Sequence, residues 1–356
     1  MRTANSRRQF MTLLGASVAA VSCGTATGNP SGKQTKKLRY QGWAGQVTVP
    51  ELAEDLGYLG DVKLDWVGNT ISGPQDIQSA ATGQIDFGGA FNGAVVKLAA
   101  NGAPITSVIS YYGSDRHAYN GFFVLADSPI RSARDLIGKK VGMNTLGAHS
   151  EAMLDIYLKR HGLSKAEIGK VQPLVVPPVN TEQSLRQHQI QVGVLGDILR
   201  DKAVAHGGMR PLFTDVQLLG AFSAGTYVMT DRFLRQNPDT ATTFVTGVAR
   251  AIEWARATPR EQVIARMTRI VRKRDRKEDA TPLKYWKSFG VAETGGRITD
   301  KQLQLWIDWL EERGDIKRGK VTASDLYTNQ YNDYRPGSPG SAASGSPAPS
   351  PATNRS

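Results

Sequence analysis

The feature that most constrains the fold is a stretch, residues 78–127, that recurs about one domain later. Five positions return at a constant offset of 105, pairing Gln78-Ser79, Gln84-Ile85 and Gly88 with Gln183-Ser184, Gln189-Ile190 and Gly193. At an offset of 104, GFFVLAD (121–127) returns as GTYVMTD (225–231). Each copy predicts a helix, a strand and an exposed polar turn, holding Asn92 or Asp197. Unless these sparse matches arise by chance, two similar α/β units present both turns to a shared cleft.

The N-terminus has the pattern of an export signal. The longest apolar run, residues 11–21, is too short to span a bilayer and follows Arg2, Arg7 and Arg8. The sequence SRRQFM at 6–11 resembles a twin-arginine motif, and ordinary secretion is the alternative. We therefore interpret residues 1–22 as a signal peptide of the twin-arginine type.

The one cysteine, Cys23, follows the apolar run directly in AVSCG, which is similar to a bacterial lipobox. Cleavage there would make Cys23 the first residue and the site of lipidation; a free or buried thiol is the alternative. We expect a lipid anchor on the outer face of the cytoplasmic membrane. Residues 23–36 suit a tether, and residues 336–356, almost all Pro, Gly, Ser and Ala, predict a disordered tail.

The charge of the chain favours small anionic partners. Loss of the three signal arginines would reduce the formal net charge from +12 to +9. The excess of basic residues suits anionic solutes or anionic envelope polymers. Nucleic acid is disfavoured because the basic residues are not interleaved with exposed aromatic residues. For the basic run at 266–277, a solvated helix face is expected and a docking patch is the alternative.

The order of predicted elements favours a two-lobe α/β protein with a helical C-terminal region. The composition, 40% hydrophobic and 21% charged, is ordinary for a soluble globular protein of 356 residues with room for two cores. Strands alternate with helices up to residue 231, which indicates largely parallel sheets. We expect lobe 1 at 37–123, lobe 2 at 127–225 and a return to lobe 1 at 226–335. The hinges are predicted at 122–125 and 227–229.

No stretch of the chain carries a catalytic or metal-binding motif. The sequence has no GxSxG, no HExxH, no phosphate loop and no pair of histidines at helical ligand spacing. We therefore predict a binding protein without cofactor or metal rather than an enzyme.

The strongest binding signal is VGMNTLGAHS at 141–150, which predicts a strand, a polar turn and a helix start. Free N–H groups there, with the hydroxyls of Thr145 and Ser150 and with His149, would form a cradle for an oxyanion. Ordinary helix capping is the alternative. Ser72 and Gly73 open a helix in the other lobe and predict a second, facing cradle.

The order of these motifs resembles the substrate-binding proteins of bacterial ABC importers, in the group for aliphatic sulfonates, taurine, nitrate and thiamine-type pyrimidines. The resemblance covers residues 38–256. It rests on Tyr40-Gln41, GQIDFG at 83–88, DSPI at 127–130 with DLIGKKV at 135–141, the turn at 145–150, and Pro177-Pro178.

This resemblance implies a periplasmic-binding-protein-like fold whose lobes close on a ligand and deliver it to an ABC permease and its ATPase. We expect a monomer that captures a small oxyanion, an aliphatic sulfonate or taurine. Nitrate, bicarbonate or a thiamine-precursor pyrimidine are the alternatives. The predicted ligand-binding residues are Gln41, Trp43, Ser72, Gly73, Asn92, Thr145, His149, Ser150, Asp197 and Tyr227.

One turn departs from the pattern of these binding proteins. The segment that is usually acidic and aromatic is VLGDI here, at 194–198, which keeps Asp197 and lacks the aromatic residue. Asp197 is predicted either to pair with an ammonium group, such as that of taurine, or to cap the helix that follows.

Overall fold

The computed structural model describes residues 32–337, and the chain from Gln34 onward forms one unit. The signal peptide, Cys23, most of the tether and the tail beyond residue 337 lie outside the described residues, so these features stay predictions. No helix of the described part is long and apolar enough to cross a membrane.

The described chain alternates strands and helices as far as the tenth strand and is helical thereafter. The strands are β1 (Lys37–Gly42), β2 (Lys63–Asn69), β3 (Gly88–Phe91), β4 (Ile105–Ser114), β5 (Asn120–Leu125), β6 (Lys140–Met143), β7 (Gln172–Val175), β8 (Val192–Gly196), β9 (Met209–Thr214) and β10 (Phe222–Thr230). The helices are α1 (Val49–Asp55), α2 (Gly73–Ala81), α3 (Asn92–Ala100), α4 (His149–Arg160), α5 (Lys165–Ile168), α6 (Pro178–Arg186), α7 (Asp197–Ala205), α8 (Asp215–Leu219), α9 (Asp231–Gln236), α10 (Pro238–Ala257), α11 (Arg260–Lys273) and α12 (Asp300–Arg313).

The strands form two separate groups of sheets, which we call lobe 1 and lobe 2 together with their helices. Lobe 1 contains the parallel pair β1-β2 and the antiparallel sheet β3-β10-β4. Lobe 2 contains the mixed sheet β7-β6-β8-β5-β9, in which β6 is parallel to both of its neighbours. The predicted two-lobe α/β fold of the periplasmic-binding-protein type is confirmed. The expectation of largely parallel sheets is wrong, because β10 and β5 each run antiparallel to both of their neighbours.

The sequence repeat has a structural counterpart in each lobe. The first copy folds as α2-β3-α3 and the second as α6-β8-α7. A Cβ on Gly88 would lie 2.6 Å from the carbonyl oxygen of Asp76, and one on Gly193 would lie 3.0 Å from Thr181. Asp76 and Thr181 are themselves 105 residues apart. Each repeated strand therefore contacts the preceding helix at the equivalent position of the repeat. The recurring glycine permits this close approach.

The prediction of a turn after each repeated strand is wrong for both copies, and the predicted exposure of its polar residue is wrong for the first. Helix α3 begins directly at Asn92, whose side chain is fully buried. Helix α7 likewise begins directly at Asp197, and only this copy leaves its polar residue exposed. A strand that runs straight into a helix leaves no residues for a turn.

The chain crosses between the lobes twice. The first crossing, residues 115–119, joins β4 to β5, and the second, residues 220–221, joins α8 to β10. The predicted hinges at 122–125 and 227–229 are wrong, because these residues lie inside β5 and β10, which carry sheet neighbours on both sides. The two strands belong to different lobes, β5 to lobe 2 and β10 to lobe 1.

The C-terminal helices complete lobe 1. Helix α12 has the predicted capping box of Thr299 and Gln302 and buries the predicted apolar face of Leu303, Trp306, Ile307 and Leu310. The indole N–H of Trp309 donates to Asp155 of α4 at 2.9 Å, so this helix also contacts lobe 2. Helix α11 buries Val263, Met267 and Val271 and exposes Arg269, Arg272 and Lys273, as expected for a solvated face. The expectation is wrong for the end of the basic run, because the helix ends at Lys273 and the side chains of Arg274 and Arg276 are largely buried against Glu51.

Candidate functional site

The candidate site is a cleft of about 270 Å³ between the lobes. It lies at the carboxyl ends of β3, β6 and β8, where the loops and helix starts of an α/β sheet bind ligands. Both lobes contribute side chains. Seven of the ten predicted ligand-binding residues line the cleft: Trp43, Gly73, Thr145, His149, Ser150, Asp197 and Tyr227.

The other three predicted residues do not line it. Asn92 is fully buried and donates to the carbonyl of Ser223 at 3.4 Å. Gln41 is half-buried and its side-chain oxygen has no hydrogen-bond partner. The hydroxyl of Ser72 lies 3.3 Å from that of Thr145 in the other lobe, so Ser72 contributes to a contact between the lobes at the rim. The amide of Asn144 adds a second such contact, to the carbonyl of Ile71 at 3.3 Å.

The start of α4 is open toward the cleft. Its N-cap residue is Ala148, which has no side-chain group to accept from the first amides. Gly147 adopts a φ of 70°, and its own amide donates to Glu151 rather than to the helix start. The hydroxyl of Ser150 makes no hydrogen bond within the described chain and its residue lines the cleft. The helix end therefore retains its partial positive charge and free donors.

The cradle prediction assumed that His149 donates to a ligand in the cleft, but its ring nitrogens are directed into the protein. Its Nε2 lies 3.0 Å from a carboxylate oxygen of Asp215, which is fully buried. Asp215 also accepts from the hydroxyl of Ser114 at 2.6 Å and the amide of Asn120 at 3.1 Å. The Nδ1 atom of His149 is buried without a hydrogen-bond partner. The sequence offered no signal for this pair, because the two residues are 66 positions apart.

The contacts of Asp215 decide its charge. Although burial alone would raise the pKa of Asp215, the hydrogen bond with His149, the charge of His149 and the Ser114 hydroxyl hold that pKa below its ordinary value. A buried carboxylate therefore lies directly behind the start of α4. Its negative charge opposes the positive end of the helix dipole.

Among the described residues, Asp197 is the one acidic residue that lines the cleft. It begins α7 with a φ of 43°, a conformation that non-glycine residues adopt at a cost. Its side chain makes no capping hydrogen bond at the start of α7, so the prediction that Asp197 caps this helix is wrong. The carboxylate is exposed to the cleft but surrounded by protein, and this burial raises the pKa of Asp197 to about 6, with Arg200 acting in the opposite direction.

Lobe 1 lines the cleft largely with aromatic rings. These are Trp43, Phe91, Tyr111, Tyr112, Tyr227, Trp286 and Phe289. Tyr111 and Tyr227 stack with ring centroids 4.0 Å apart, and burial raises the pKa of both well above the ordinary value. Sequence reasoning missed Tyr111, Trp286 and Phe289, since the last two arrive from the C-terminal region that has no counterpart in the repeat.

Beneath this aromatic wall lies a buried carboxyl group, that of Asp76. One oxygen accepts from the amide of Gly89 at 2.7 Å and the other has no partner. Burial raises the pKa of Asp76 to about 7, and the Gly89 amide lowers it in part. The described cleft lining contains no lysine or arginine, and no cluster of residues in 32–337 could hold a metal ion. The cleft is thus polar and acidic on one side and aromatic on the other.

Comparison with known proteins agrees with this architecture. The family described as NMT1/THI5 like matches residues 48–262. The chain is 22% identical over 299 residues to 4-amino-5-hydroxymethyl-2-methylpyrimidine phosphate synthase THI5 of Saccharomyces cerevisiae, covering 80% of this chain and 82% of the yeast protein.

Two solved structures share the fold. The periplasmic aliphatic sulphonate binding protein SsuA of Escherichia coli is 20% identical, with a TM-score of 0.62 over 82% of this chain and 92% of SsuA. The periplasmic nitrate-binding protein NrtA of Synechocystis PCC 6803 is 14% identical, with a TM-score of 0.63 over 83% of this chain and 87% of NrtA. Because the family match spans more than half of the sequence, the chain belongs to the NMT1/THI5-like family.

Proposed function

We propose that this protein is the solute-binding component of an ABC importer and captures a small amine-bearing oxyanion, an amino-sulfonate of the taurine type. The observation that carries this proposal is that the uncapped start of α4 and the unpaired carboxylate of Asp197 line one cleft. The helix start offers amides and the hydroxyls of Thr145 and Ser150 to a sulfonate. Asp197 offers a counter-charge to an ammonium group.

The charges around the cleft favour a solute that carries an amine over a plain anion. Asp197 faces the cleft without an ion-pair partner in the described chain, and the described lining holds no lysine or arginine. A plain alkyl sulfonate, nitrate or bicarbonate would bring one more negative charge to this site. A zwitterion pairs its positive end with Asp197 and its negative end with the helix.

The importer role is supported by the fold and by the predicted export signal. SsuA and NrtA are named as periplasmic binding proteins for sulphonate and nitrate. An exported chain anchored through Cys23 would hold the cleft near a permease and its ATPase, on the periplasmic side of the cytoplasmic membrane. We propose a monomer without cofactor, and no role for nucleic acid.

A second candidate is an aminopyrimidine related to the thiamine precursor. The aromatic wall of lobe 1 favours it, because rings such as Trp43 and Tyr227 offer flat faces for stacking on a heterocycle. Asp197 could then accept from the exocyclic amine. The THI5 relatives are named for the synthesis of such a pyrimidine, which is also the reason to test for turnover.

A thermal-shift screen tests the proposal. The ligands are taurine, ethanesulfonate, nitrate, bicarbonate and 4-amino-5-hydroxymethyl-2-methylpyrimidine, since a ligand that binds only the folded state raises the melting temperature. We expect taurine to give the largest shift. Stabilisation by the pyrimidine alone would select the second candidate. Stabilisation by none of them, or chemical conversion of a ligand detected by mass spectrometry, would contradict the proposed function.

A further inference from the structure

A second hollow, larger than the cleft, lies beside the two crossings. Its volume is about 920 Å³, and both crossings line it, the first through residues 115–117 and the second through Ala221. The end of α10, the start of α11 and the segment 286–291 complete the lining. Trp286, Ser288 and Phe289 line both the hollow and the cleft, so this segment separates them. The proposed capture of a solute makes no use of the hollow.

The lining of the hollow is strongly basic. Within residues 32–337, its lining holds four basic side chains, Arg116, Arg256, Arg260 and Lys287, and a single acidic one, Asp115. The oxygens of Asp115 are occupied, because they accept from the amide of His117 at 2.6 Å and from the hydroxyl of Ser288 at 2.9 Å. The hollow therefore presents an excess of positive charge, in contrast to the cleft.

Two of the arginines are held in place largely by carbonyl groups. Arg260 donates to the carbonyls of Trp286 at 2.7 Å and Lys284 at 2.6 Å, and Arg256 donates to that of Val291 at 2.6 Å. Carbonyls fix a guanidinium without neutralising it. Arg256 also pairs with Glu253, Arg260 lies 4.0 Å from Glu261, and Lys287 pairs with Asp201 at 3.0 Å. Within the described chain Arg116 has only the ring nitrogen of His117 as a partner, at 2.9 Å, so Arg116 is the cation without a carboxylate partner. These groups are pre-organised to receive acceptor atoms.

A buried donor in the same wall lacks an acceptor. The indole N–H of Trp286 has no hydrogen-bond partner in the part of the chain that the structure describes, and the residue is 8% exposed. Buried polar groups are nearly always paired in folded proteins, so an unpaired one indicates a missing partner. A ligand in either adjoining space could supply it.

We propose that the hollow is a binding site for a small soluble polyanion with two or more phosphate or carboxylate groups. A volume of about 920 Å³ is within the range of small-molecule sites. Two or more anionic groups match the several separate cations, since a single one could reach only part of the ring of basic residues. A polyanion there contacts both crossings and thus touches the segments that join the lobes.

The test is calorimetry with inorganic pyrophosphate and, separately, citrate, at low salt so that screening is weak. We expect both to bind the wild-type chain. Arg116→Gln and Lys287→Gln should each weaken pyrophosphate binding about fivefold to tenfold, since each removes a charge-assisted contact. Lys287 also forms an ion pair with Asp201, so Lys287→Gln could lower stability. Arg116→Gln then still tests the site.

Two control variants separate this site from general charge and from the cleft. Arg318→Gln removes an equally exposed arginine outside the hollow, and Asp197→Asn alters only the cleft. Both should bind pyrophosphate like the wild type. Absence of pyrophosphate and citrate binding by the wild type at millimolar concentration would overturn the proposal. So would an equal loss in Arg318→Gln, because the binding would then be non-specific.

Discussion

The two walls of the cleft differ in chemistry although each lobe contains one copy of the sequence repeat. Lobe 1 contributes aromatic rings, among them Trp43, Tyr111 and Phe289. Lobe 2 contributes polar groups at two helix starts, Thr145 and Ser150 at α4 and Asp197 at α7. In each repeat the residue that begins the helix after the strand is polar. It is buried in lobe 1, as Asn92, and exposed in lobe 2, as Asp197.

This difference separates two tasks of a binding site. Flat rings provide contact area that many ligands can use, whereas a few placed polar groups fix orientation and select among ligands. We therefore expect substitutions in lobe 2 to change which solute binds. Substitutions in the lobe 1 wall should change affinity according to the shape of the solute.

The largest effect is expected from removing the support of the polar wall. Asp215→Ala leaves His149, the Ser114 hydroxyl and the Asn120 amide without their shared acceptor. Loss of one partner in a buried charged network costs about 3–5 kcal/mol. Chemical denaturation should show this loss in the free energy of unfolding. A loss below about 1 kcal/mol would mean that Asp215 does not hold the wall together.

The next effect concerns the carboxyl group beneath the aromatic wall. The pKa of Asp76 is about 7 in the folded protein and ordinary in the unfolded chain, so the folded state binds its proton more tightly. Stability from this group is present at low pH and is lost as the pH rises from about 4 to about 7, by at most about 1.4 kcal/mol per pH unit. Denaturation curves should show Asp76→Asn gaining on the wild type across this range. A constant difference between the two proteins would show that Asp76 ionises normally.

A smaller effect is expected at the start of α4. The Ser150 hydroxyl has no partner within the described chain, so Ser150→Ala removes a donor that is free for the ligand and leaves the helix amides in place. Such a bond contributes about 1.5 kcal/mol, and taurine should bind roughly tenfold more weakly by calorimetry. Ser324→Ala is the matched control, because Ser324 is exposed and does not line the cleft. Unchanged affinity in folded Ser150→Ala would place the oxyanion elsewhere.

The smallest effect is expected in lobe 1. Trp43→Ala should leave taurine affinity within about twofold, because taurine has no ring, and weaken binding of any planar heterocycle about fivefold through lost stacking. Trp66→Ala, a partly exposed tryptophan outside the cleft, is the control. A tenfold loss of taurine binding in Trp43→Ala would contradict the hypothesis that the aromatic wall of lobe 1 contributes little to taurine binding.

Much of the fold follows from the sequence because its signals are local. Period-two and helical patterns predicted most of the strands and helices up to residue 231, although not β9 and α8, and capping residues predicted the start of α12. The hinges did not follow, because a strand such as β5 looks the same whether it crosses between lobes or lies within one sheet. Only its pairing with β8 and β9 shows which it is.

The candidate site divides along the same line. Thr145, Ser150 and Asp197 belong to strand-to-helix junctions that a sequence pattern can identify, and all three line the cleft. The partner of His149 and the rings of Trp286 and Phe289 reach the site through tertiary packing, from segments distant in the chain. Asn92 shows the converse, since an equivalent position in a repeat does not have an equivalent environment.

The measurement that most directly tests recognition of an amine by lobe 2 is calorimetric titration of taurine and ethanesulfonate into wild type and Asp197→Asn. Removing one partner of an enclosed charge pair costs about 2–3 kcal/mol, so taurine should bind roughly 30- to 150-fold more weakly to the variant. Ethanesulfonate, which has no ammonium group, should bind the variant at least as well as the wild type. Asp127→Asn, at an exposed carboxylate outside the cleft, should change neither affinity. Equal weakening of both ligands, or no weakening of taurine, would contradict the account.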